Sequence, residues 1–332
     1  MNVSGVFESL GEYLNPSNHR PTSLVNLSAE PELNPFRSQG VVIYAKMLSE
    51  LPGGNLKLIP AWNMLDSLQR DGIDLKGKTL ITASSGNFAG AVCKLAKIFG
   101  VEKVIVIVSP ETPEFKRQSL RLAGAYVFVR RKGVQLAKEW AEANGWINLP
   151  QYDAPENPLS YYNLIGPQIW EETGQLVTFF AGGVGTSGSS GGIGRFLSEK
   201  NPAMYRLGVI RAPGSEVSGV RDRELLKQVG LPWEEGLSAV QEVSKVDAYR
   251  RSLQLGALSA GPSSGFTLAG VHQEIHSLIQ QGGLDRLRNS AGNVYVVTLI
   301  YDESFLYIDE YDDPDLQLGC DFPEIDILPE LL

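Results

Sequence analysis

Lys57 ends the run Pro52-Gly53-Gly54-Asn55-Leu56-Lys57 in this chain of 332 residues. The ε-amine of a lysine can condense with an aldehyde to a Schiff base, a covalent bond that can later be exchanged for one to an amino-acid substrate. Most lysines are solvated surface charges, so a lone lysine after two glycines indicates little. Two loops elsewhere in the chain make the covalent interpretation specific.

The first loop is rich in glycine and serine. It reads Gly183-Val184-Gly185-Thr186-Ser187-Gly188-Ser189-Ser190-Gly191-Gly192, between a predicted buried strand over 177–182 and a predicted helix over 193–200. Glycines let backbone N–H groups converge on an anion, and a helix N-terminus adds partial positive charge. No lysine follows in the Walker position, and the acidic residue of a dinucleotide site is missing. The loop therefore predicts a phosphate cradle, with a flexible linker as the plainer alternative.

The second loop, Ala83-Ser84-Ser85-Gly86-Asn87-Phe88-Ala89-Gly90, follows a predicted strand over 79–82 and opens a predicted helix over 88–99. Hydroxyl groups, an amide and free N–H groups at a helix start suit a carboxylate. A lysine, a phosphate cradle and a carboxylate loop together indicate a pyridoxal phosphate enzyme acting on an amino acid.

With these motifs in one order, the chain resembles the fold-type II pyridoxal phosphate family, in its cysteine synthase and cystathionine β-synthase branch. The likeness runs from about Pro21 to Tyr307 and includes Tyr44-Ala45-Lys46, Pro110-Glu111-Thr112, Leu122-Ala123-Gly124-Ala125 and Gly166-Pro167-Gln168-Ile169-Trp170. The resemblance implies an α/β fold with two open, twisted parallel-sheet domains and the cofactor in the cleft between them. It also implies a homodimer.

The resemblance assigns roles residue by residue. Lys57 would form the Schiff base and move the α-proton, and Asn87 would hold the phenolic oxygen of the cofactor. The phosphate would be bound by Gly185, Thr186, Ser187, Gly188 and Ser189. The substrate carboxylate would be held by Ser84, Ser85, Gly86, Phe88 and Gln151. Ser263, in Gly261-Pro262-Ser263-Ser264-Gly265, would face the pyridine nitrogen, with Ser264 as the alternative.

The serine at the pyridine nitrogen bears on the reaction. A neutral hydroxyl cannot keep that nitrogen protonated as a carboxylate would, so the ring is a weaker electron sink and early loss of a β-leaving group is favoured. We expect β-replacement on an activated serine, by way of an aminoacrylate, to give cysteine or another β-substituted alanine. A β-eliminating lyase or dehydratase and a non-catalytic cofactor-binding descendant are the alternatives.

Three departures from the family pattern concern specificity. Leu58-Ile59 replace the usual Asp-Arg after the lysine, and Phe88 replaces a threonine. The segment 212–223 is also altered, and Arg211, Arg221 and Arg223 lie in or beside it. Because a guanidinium group pairs bidentately with phosphate, we expect an acidic leaving group, with O-phosphoserine favoured over O-acetylserine and Arg221 in the substrate site. The alternative is that these arginines lie on a solvated helix turn.

Composition narrows the class of protein. An apolar content of 43% can fill the core of one or two domains, and a net charge of −9 argues against nucleic acid or an anionic membrane as partner. No stretch approaches the ~20 apolar residues of a membrane span, and the N-terminus lacks a secretory pattern. Two cysteines and three histidines suggest neither a disulfide framework nor a metal site. We expect a cytoplasmic enzyme.

Alternating strand and helix patterns predict strands over 41–47, 104–108, 126–129, 207–210 and 294–300, and helices over 60–71, 113–122, 134–144 and 264–281. We assign residues 43–155 to a small mobile domain, and residues 1–42 and 156–301 to a large cofactor-binding domain. Residues 302–332 are acidic with interspersed apolar side chains. They form either an arm that packs on the protein or a disordered tail.

Overall fold

The computed structural model describes residues 6–311, 313 and 316. The strands, in chain order, are β1 Leu24–Asn26, β2 Val41–Met47, β3 Thr79–Ala83, β4 Lys103–Val108, β5 Ala125–Val129, β6 Ile147–Asn148, β7 Phe179–Gly183, β8 Tyr205–Arg211, β9 Ala239–Val243 and β10 Val294–Ile300. The α-helices are α1 Leu10–Leu14, α2 Leu58–Arg70, α3 Asn87–Ala96, α4 Glu114–Leu122, α5 Gly133–Asn144, α6 Glu156–Glu172, α7 Gly188–Lys200, α8 Arg223–Leu226, α9 Lys245–Gln254, α10 Pro262–Gln280 and α11 Ile308–Tyr311.

The larger sheet has six strands in the order β1-β2-β10-β7-β8-β9, and only the edge strand β1 runs antiparallel to its neighbour. Strand β10 lies inside the sheet between β2 and β7, and six of its seven residues are buried. A strand covered on both faces is mostly apolar, which is why its sequence, VYVVTLI, is a nearly continuous apolar run interrupted by Thr298. Helix α10 packs so closely on β8 that a Cβ atom at Gly270 would lie 2.6 Å from Val209.

The smaller sheet has four parallel strands in the order β5-β4-β3-β6. Its own core lies between the sheet and helices α2, α3 and α4, and includes Leu80, Val106, Phe88 and Leu95. The predicted α/β architecture with two parallel sheets is confirmed.

The structure corrects three details of the predicted elements. Helix α7 begins at Gly188 rather than at residue 193, so the second half of the glycine-rich loop forms the first turns of the helix. Helix α6, strand β9 and helix α9 are present in addition to the predicted elements. Residues 43–47, predicted in the small domain, lie in β2 of the larger sheet, because β2 pairs along its whole length with β10. The division into two domains stays a prediction.

The first part of the acidic C-terminal segment packs on the rest of the chain. We call residues 302–311 the strap; it contains a 3₁₀ turn, Ser304–Tyr307, followed by α11. Glu310 accepts hydrogen bonds from Lys116 (2.5 Å), Tyr249 (2.5 Å) and Ser218 (2.9 Å), and so joins α4 beside the smaller sheet to elements of the larger one. Of the predicted arm, residues 302–311, 313 and 316 are described, and the remainder lies outside the described residues.

Within the part of the chain that the structure covers, no helix combines the length and the apolar character needed to cross a membrane.

Candidate active site

The loops that carry the predicted motifs lie at the switch points of the two sheets. In the larger sheet the strand order reverses between β7 and β10, and in the smaller sheet between β3 and β6. The carboxyl ends of parallel strands at such points form a crevice that binds ligands. The loops after these four strands line one cavity of about 560 Å³ between the sheets.

This inter-sheet cavity brings together nearly all of the predicted site residues. Its lining includes Lys57, Ser84, Ser85, Gly86, Asn87, Phe88, Gln151, Gly185, Thr186, Ser187, Ser189, Arg221 and Ser263. Gly188 is the exception: it lies beneath the surface, where a Cβ atom would come within 1.9 Å of Asn157 Oδ1. Residues more than 200 positions apart in the sequence therefore form one site.

Lys57 is the N-cap residue of α2, and its backbone N–H donates to Asn55 Oδ1 at 3.0 Å. Its ammonium group makes no hydrogen bond to any residue that the structure describes. Burial lowers the pKa of Lys57 to about 8, the carboxylate of Asp302 opposes this shift, and the charge of Arg221 adds to it. With this pKa about a tenth of the amine is neutral at pH 7, far more than for a lysine of ordinary pKa, and only the neutral amine can form a Schiff base.

The glycine-rich loop leads directly into α7, and its second half forms the N-terminus of that helix. Ser187 holds a left-handed backbone conformation (φ 66°), and Thr186 Oγ1 accepts a hydrogen bond from Asn157 Nδ2 at 2.9 Å. Gly185 has no space for a side chain, since a Cβ atom would lie 2.1 Å from the carbonyl oxygen of Gly219. The result is a compact loop with hydroxyl groups and a helix N-terminus facing the cavity, which suits a phosphate group.

Residues 84–88, the loop predicted to bind a carboxylate, line the same cavity as the glycine-rich loop. Gln151 lies beside residues 84–88, almost fully buried, and donates from Nε2 to the carbonyl oxygen of Ala83 at 3.3 Å. Phe88 belongs both to the cavity wall and to the core of the smaller sheet.

The structure distinguishes the two serines at the start of α10. Ser264 Oγ accepts a hydrogen bond from the backbone N–H of Tyr301 at 3.1 Å and does not line the cavity. Ser263 does line it. Of the two, Ser263 is the residue that can face a ligand.

Asp302, the first residue of the acidic C-terminal segment, lies within the site. Asp302 follows β10 and lines the cavity, and its Oδ2 accepts hydrogen bonds from Asn87 Nδ2 at 2.6 Å and from the hydroxyl of Tyr307. Burial raises the pKa of Asp302 to about 6, against the opposing effects of Tyr307, Asn87 and Lys57. Its position two residues after the end of a predicted strand was the signal that could have identified it.

The three arginines that were expected to cluster have separate positions. Arg221 lines the cavity, with its guanidinium group 4.1 Å from the ring centroid of Tyr152 and Nη1 donating to the carbonyl oxygen of Leu225. Arg211 pairs with Asp222 at 3.0 Å, and Arg223 pairs with Glu234 and Glu242. Neither lines the cavity, so the expected cluster is wrong for these two residues and Arg221 alone remains.

Cys93 and His272 are buried and do not line the cavity. Cys93 is buried in the core of the smaller sheet, where burial raises its pKa to about 11, so its thiol is not poised as a nucleophile. His272 is also buried, and its Nε2 lies 2.9 Å from the carbonyl oxygen of Leu33. Among the described residues, no group of three or more side chains could hold a metal ion.

Known proteins with related sequences belong to one enzyme family. Residues 17–286 match the model of the family described as "Pyridoxal-phosphate dependent enzyme". The chain is 28% identical over 278 residues to cysteine synthase B of Pseudomonas aeruginosa, covering 80% of this chain and 87% of that protein. It is 31% identical over 262 residues to a cysteine synthase of Aquifex aeolicus, covering 74% and 78%.

Solved structures show the same fold. The structure of O-ureido-L-serine synthase with bound O-ureido-L-serine superimposes with a TM-score of 0.78 at 21% identity, covering 97% of both chains. The O-acetylserine dependent cystathionine beta-synthase of Helicobacter pylori gives a TM-score of 0.74 at 22% identity, covering 92% of this chain and 98% of that one. The chain belongs to the pyridoxal-phosphate dependent enzyme family, in its cysteine synthase branch.

Proposed function

We propose that the protein catalyses β-replacement on an activated serine, with an acidic leaving group and O-phosphoserine as the preferred substrate. The observation that carries this proposal is the composition of one cavity: Lys57, a glycine-rich anion cradle and a neutral serine, Ser263, together with Arg221. The product would be cysteine or another β-substituted alanine. The predicted homodimer and cytoplasmic location stay predictions.

Pyridoxal phosphate is the family's cofactor, and the residues present fit it. The loop at the start of α7 has hydroxyl groups for a phosphate and, at Gly185, a backbone that a side chain could not approach. Lys57 offers an amine without a hydrogen-bond partner among the described residues. Asn87 and Ser263, at the cavity wall, would hold the ring oxygen and the ring nitrogen.

The bound cofactor supplies an electron sink that stabilises negative charge at the α-carbon of an amino acid. The side chains of the cavity supply the proton transfer and the surroundings of the ring. Lys57, with its lowered pKa, can take up the α-proton near neutral pH and return it later. Ser263 would place a neutral hydroxyl, and not a carboxylate, beside the ring nitrogen, so that nitrogen would not be kept protonated. A ring with an unprotonated nitrogen would accept electrons weakly, which favours early departure of the β-substituent over other reactions of the substrate.

Arg221 supports an acidic side chain on the substrate. Its guanidinium group lies over the ring of Tyr152, and Nη1 donates to the carbonyl oxygen of Leu225. Nε and Nη2 have no hydrogen-bond partner among the described residues. A guanidinium group offers donors in a planar fork that matches a phosphate. Arg211 and Arg223 cannot contribute in this way because carboxylates already occupy them.

Elimination is the second candidate, and Phe88 is the observation that favours it. An apolar ring at this wall, where the family has a hydroxyl, removes a polar contact that could retain a second substrate.

The test that separates replacement from elimination is to incubate the holoenzyme with O-phosphoserine, O-acetylserine and serine, with and without sulfide. Replacement predicts cysteine from O-phosphoserine only when sulfide is present. Pyruvate and ammonia in equal amounts with and without sulfide would establish elimination instead.

Asn87 and Gln151 should have separable effects, since we assign one to the cofactor and the other to the substrate carboxylate. Both are neutral amides, which orient a ligand without adding charge. Asn87→Ala should change the absorption spectrum of the bound cofactor. Gln151→Ala should leave that spectrum unchanged and raise the amino-acid concentration at half-maximal spectral change by about tenfold. Identical effects of the two variants would contradict the assignment.

A further inference from the structure

The carboxylate of Asp302 has no part in the function proposed above, yet it lies inside the same cavity. Only 3% of the residue is exposed. Its backbone is fixed on two sides, by a bridge to Asn55 and by a hydrogen bond from the N–H of Gly261 to its carbonyl oxygen at 3.0 Å. Burying a carboxylate is unfavourable unless it is hydrogen-bonded, so its partners identify its role.

Those partners are two residues from different parts of the fold. Asn87 begins α3 beside the smaller sheet, and Tyr307 ends the 3₁₀ turn of the strap. Both donate to Asp302 Oδ2, and Asn87 Nδ2 also lies 3.3 Å from the hydroxyl oxygen of Tyr307. Oδ1 of Asp302 has no partner among the described residues. The three side chains form a closed triangle at the cavity wall.

This triangle determines which way the amide of Asn87 points. An ionised carboxylate only accepts hydrogen bonds, so Asn87 must present Nδ2, and not Oδ1, to Asp302. Without this contact the amide could rotate or flip. One N–H of Asn87 Nδ2 donates to Asp302 Oδ2, with 2.6 Å between the nitrogen and the oxygen. The second N–H makes only the longer contact of 3.3 Å with the Tyr307 hydroxyl, and an oxygen of a ligand could replace that contact.

The strap is also held by contacts with Lys116 of α4. Glu310, three residues after Tyr307, accepts a hydrogen bond from Lys116 of α4, and the Lys116 ammonium group also lies 5.1 Å from the ring centroid of Tyr307. The position of Tyr307 thus depends on contacts with α4 as well as on its hydrogen bond to Asp302.

We propose that Asp302 and Tyr307 are a positioning pair that fixes the amide of Asn87 for the 3-hydroxyl group of the cofactor, so that the strap completes the cofactor site. The inference rests on the proposed function in that it assumes a ligand contact for Asn87. It assigns a role to the first turns of a segment whose composition alone is compatible with either an arm or a tail.

The test is a double-mutant cycle on non-covalent binding. We would measure the affinity of apo-protein for 4′-deoxypyridoxine 5′-phosphate, an analogue without the aldehyde, so that binding does not depend on Lys57. Asp302→Asn and Asn87→Ala should each weaken binding by about tenfold. The double variant should bind no more weakly than either single variant, because residues of one network are not additive. Asp302→Asn should also shift the absorption band of the bound analogue, which reports ionisation of its 3-hydroxyl group.

Asp309→Asn is the matched control, since it removes a carboxylate from the same strap outside the triangle; it should bind the analogue as the unmodified protein does. Tyr307→Phe, which deletes one hydroxyl, provides a second cycle with Asn87→Ala if Asp302→Asn does not fold. Unchanged affinity and spectrum in Asp302→Asn, or losses that add in the double variant, would overturn the inference. If the unmodified protein bound no cofactor, the proposed function would fail first, and the two failures are thereby distinguished.

Discussion

Replacing Lys57 with alanine is expected to abolish covalent attachment of pyridoxal phosphate and to lower turnover by more than about a thousandfold, since general acid–base catalysis alone contributes roughly 10²- to 10⁴-fold. The anion cradle remains in this variant, so cofactor should still bind reversibly. Borohydride reduction followed by peptide mapping should locate the cofactor on Lys57 in the unmodified protein. Lys94→Ala, which removes another lysine of the cavity wall, should leave that labelling unchanged. Label on any other lysine would refute the assignment.

The pH dependence of cofactor attachment to Lys57 should reflect the lowered pKa of its amine. Only the neutral amine adds to an aldehyde, and burial lowers the pKa of Lys57 to about 8. The rate at which apo-protein takes up cofactor should therefore rise with pH and level off above about 8, whereas a solvated lysine has a pKa near 10.4. Nα-acetyllysine serves as the reference amine, because it corrects for titration of the cofactor itself. A protein profile that coincides with this reference would show that the amine is not desolvated.

Replacing Arg221 with alanine should lower kcat/KM for O-phosphoserine by about ten- to a hundredfold and change that for O-acetylserine little. A hydrogen bond to a charged group is worth about 1.5 to 3 kcal/mol, and the phosphate would lose its guanidinium partner whereas the neutral acetyl group would not. Arg221→Lys should recover only part of the loss, because an ammonium group retains the charge without the planar fork.

Arg223→Ala is the matched control for this experiment. Arg223 lies two residues further along the chain, and its guanidinium group pairs with Glu234 and Glu242 outside the cavity. Its removal should leave both substrates unaffected. Equal losses for both substrates in Arg221→Ala, or turnover of O-acetylserine alone by the unmodified protein, would remove phosphate from the proposal.

The sequence determined those parts of the site that lie in continuous loops. Residues 84–88 and 183–192 can be recognised as ligand-binding loops from the local sequence, because hydroxyl groups and glycines lie between a predicted strand and a predicted helix. Buried parallel strands, such as β4 and β10, are recognisable from apolar runs, since both of their faces are covered. Lys57 required the resemblance in addition, because no local pattern distinguishes a Schiff-base lysine from a surface one.

Only the tertiary structure decided which separate side chains meet. Asn87 and Asp302 are 215 residues apart in the sequence, and their hydrogen bond depends on how the two sheets face each other. The same holds for Arg211, Arg221 and Arg223. They are near neighbours in the chain, but nearby carboxylates draw two of the guanidinium groups away from the cavity, and the ring of Tyr152 holds the third against it. Local sequence specifies the loops of this protein, whereas side-chain direction and long-range packing, which a linear pattern does not contain, determine the contacts between them.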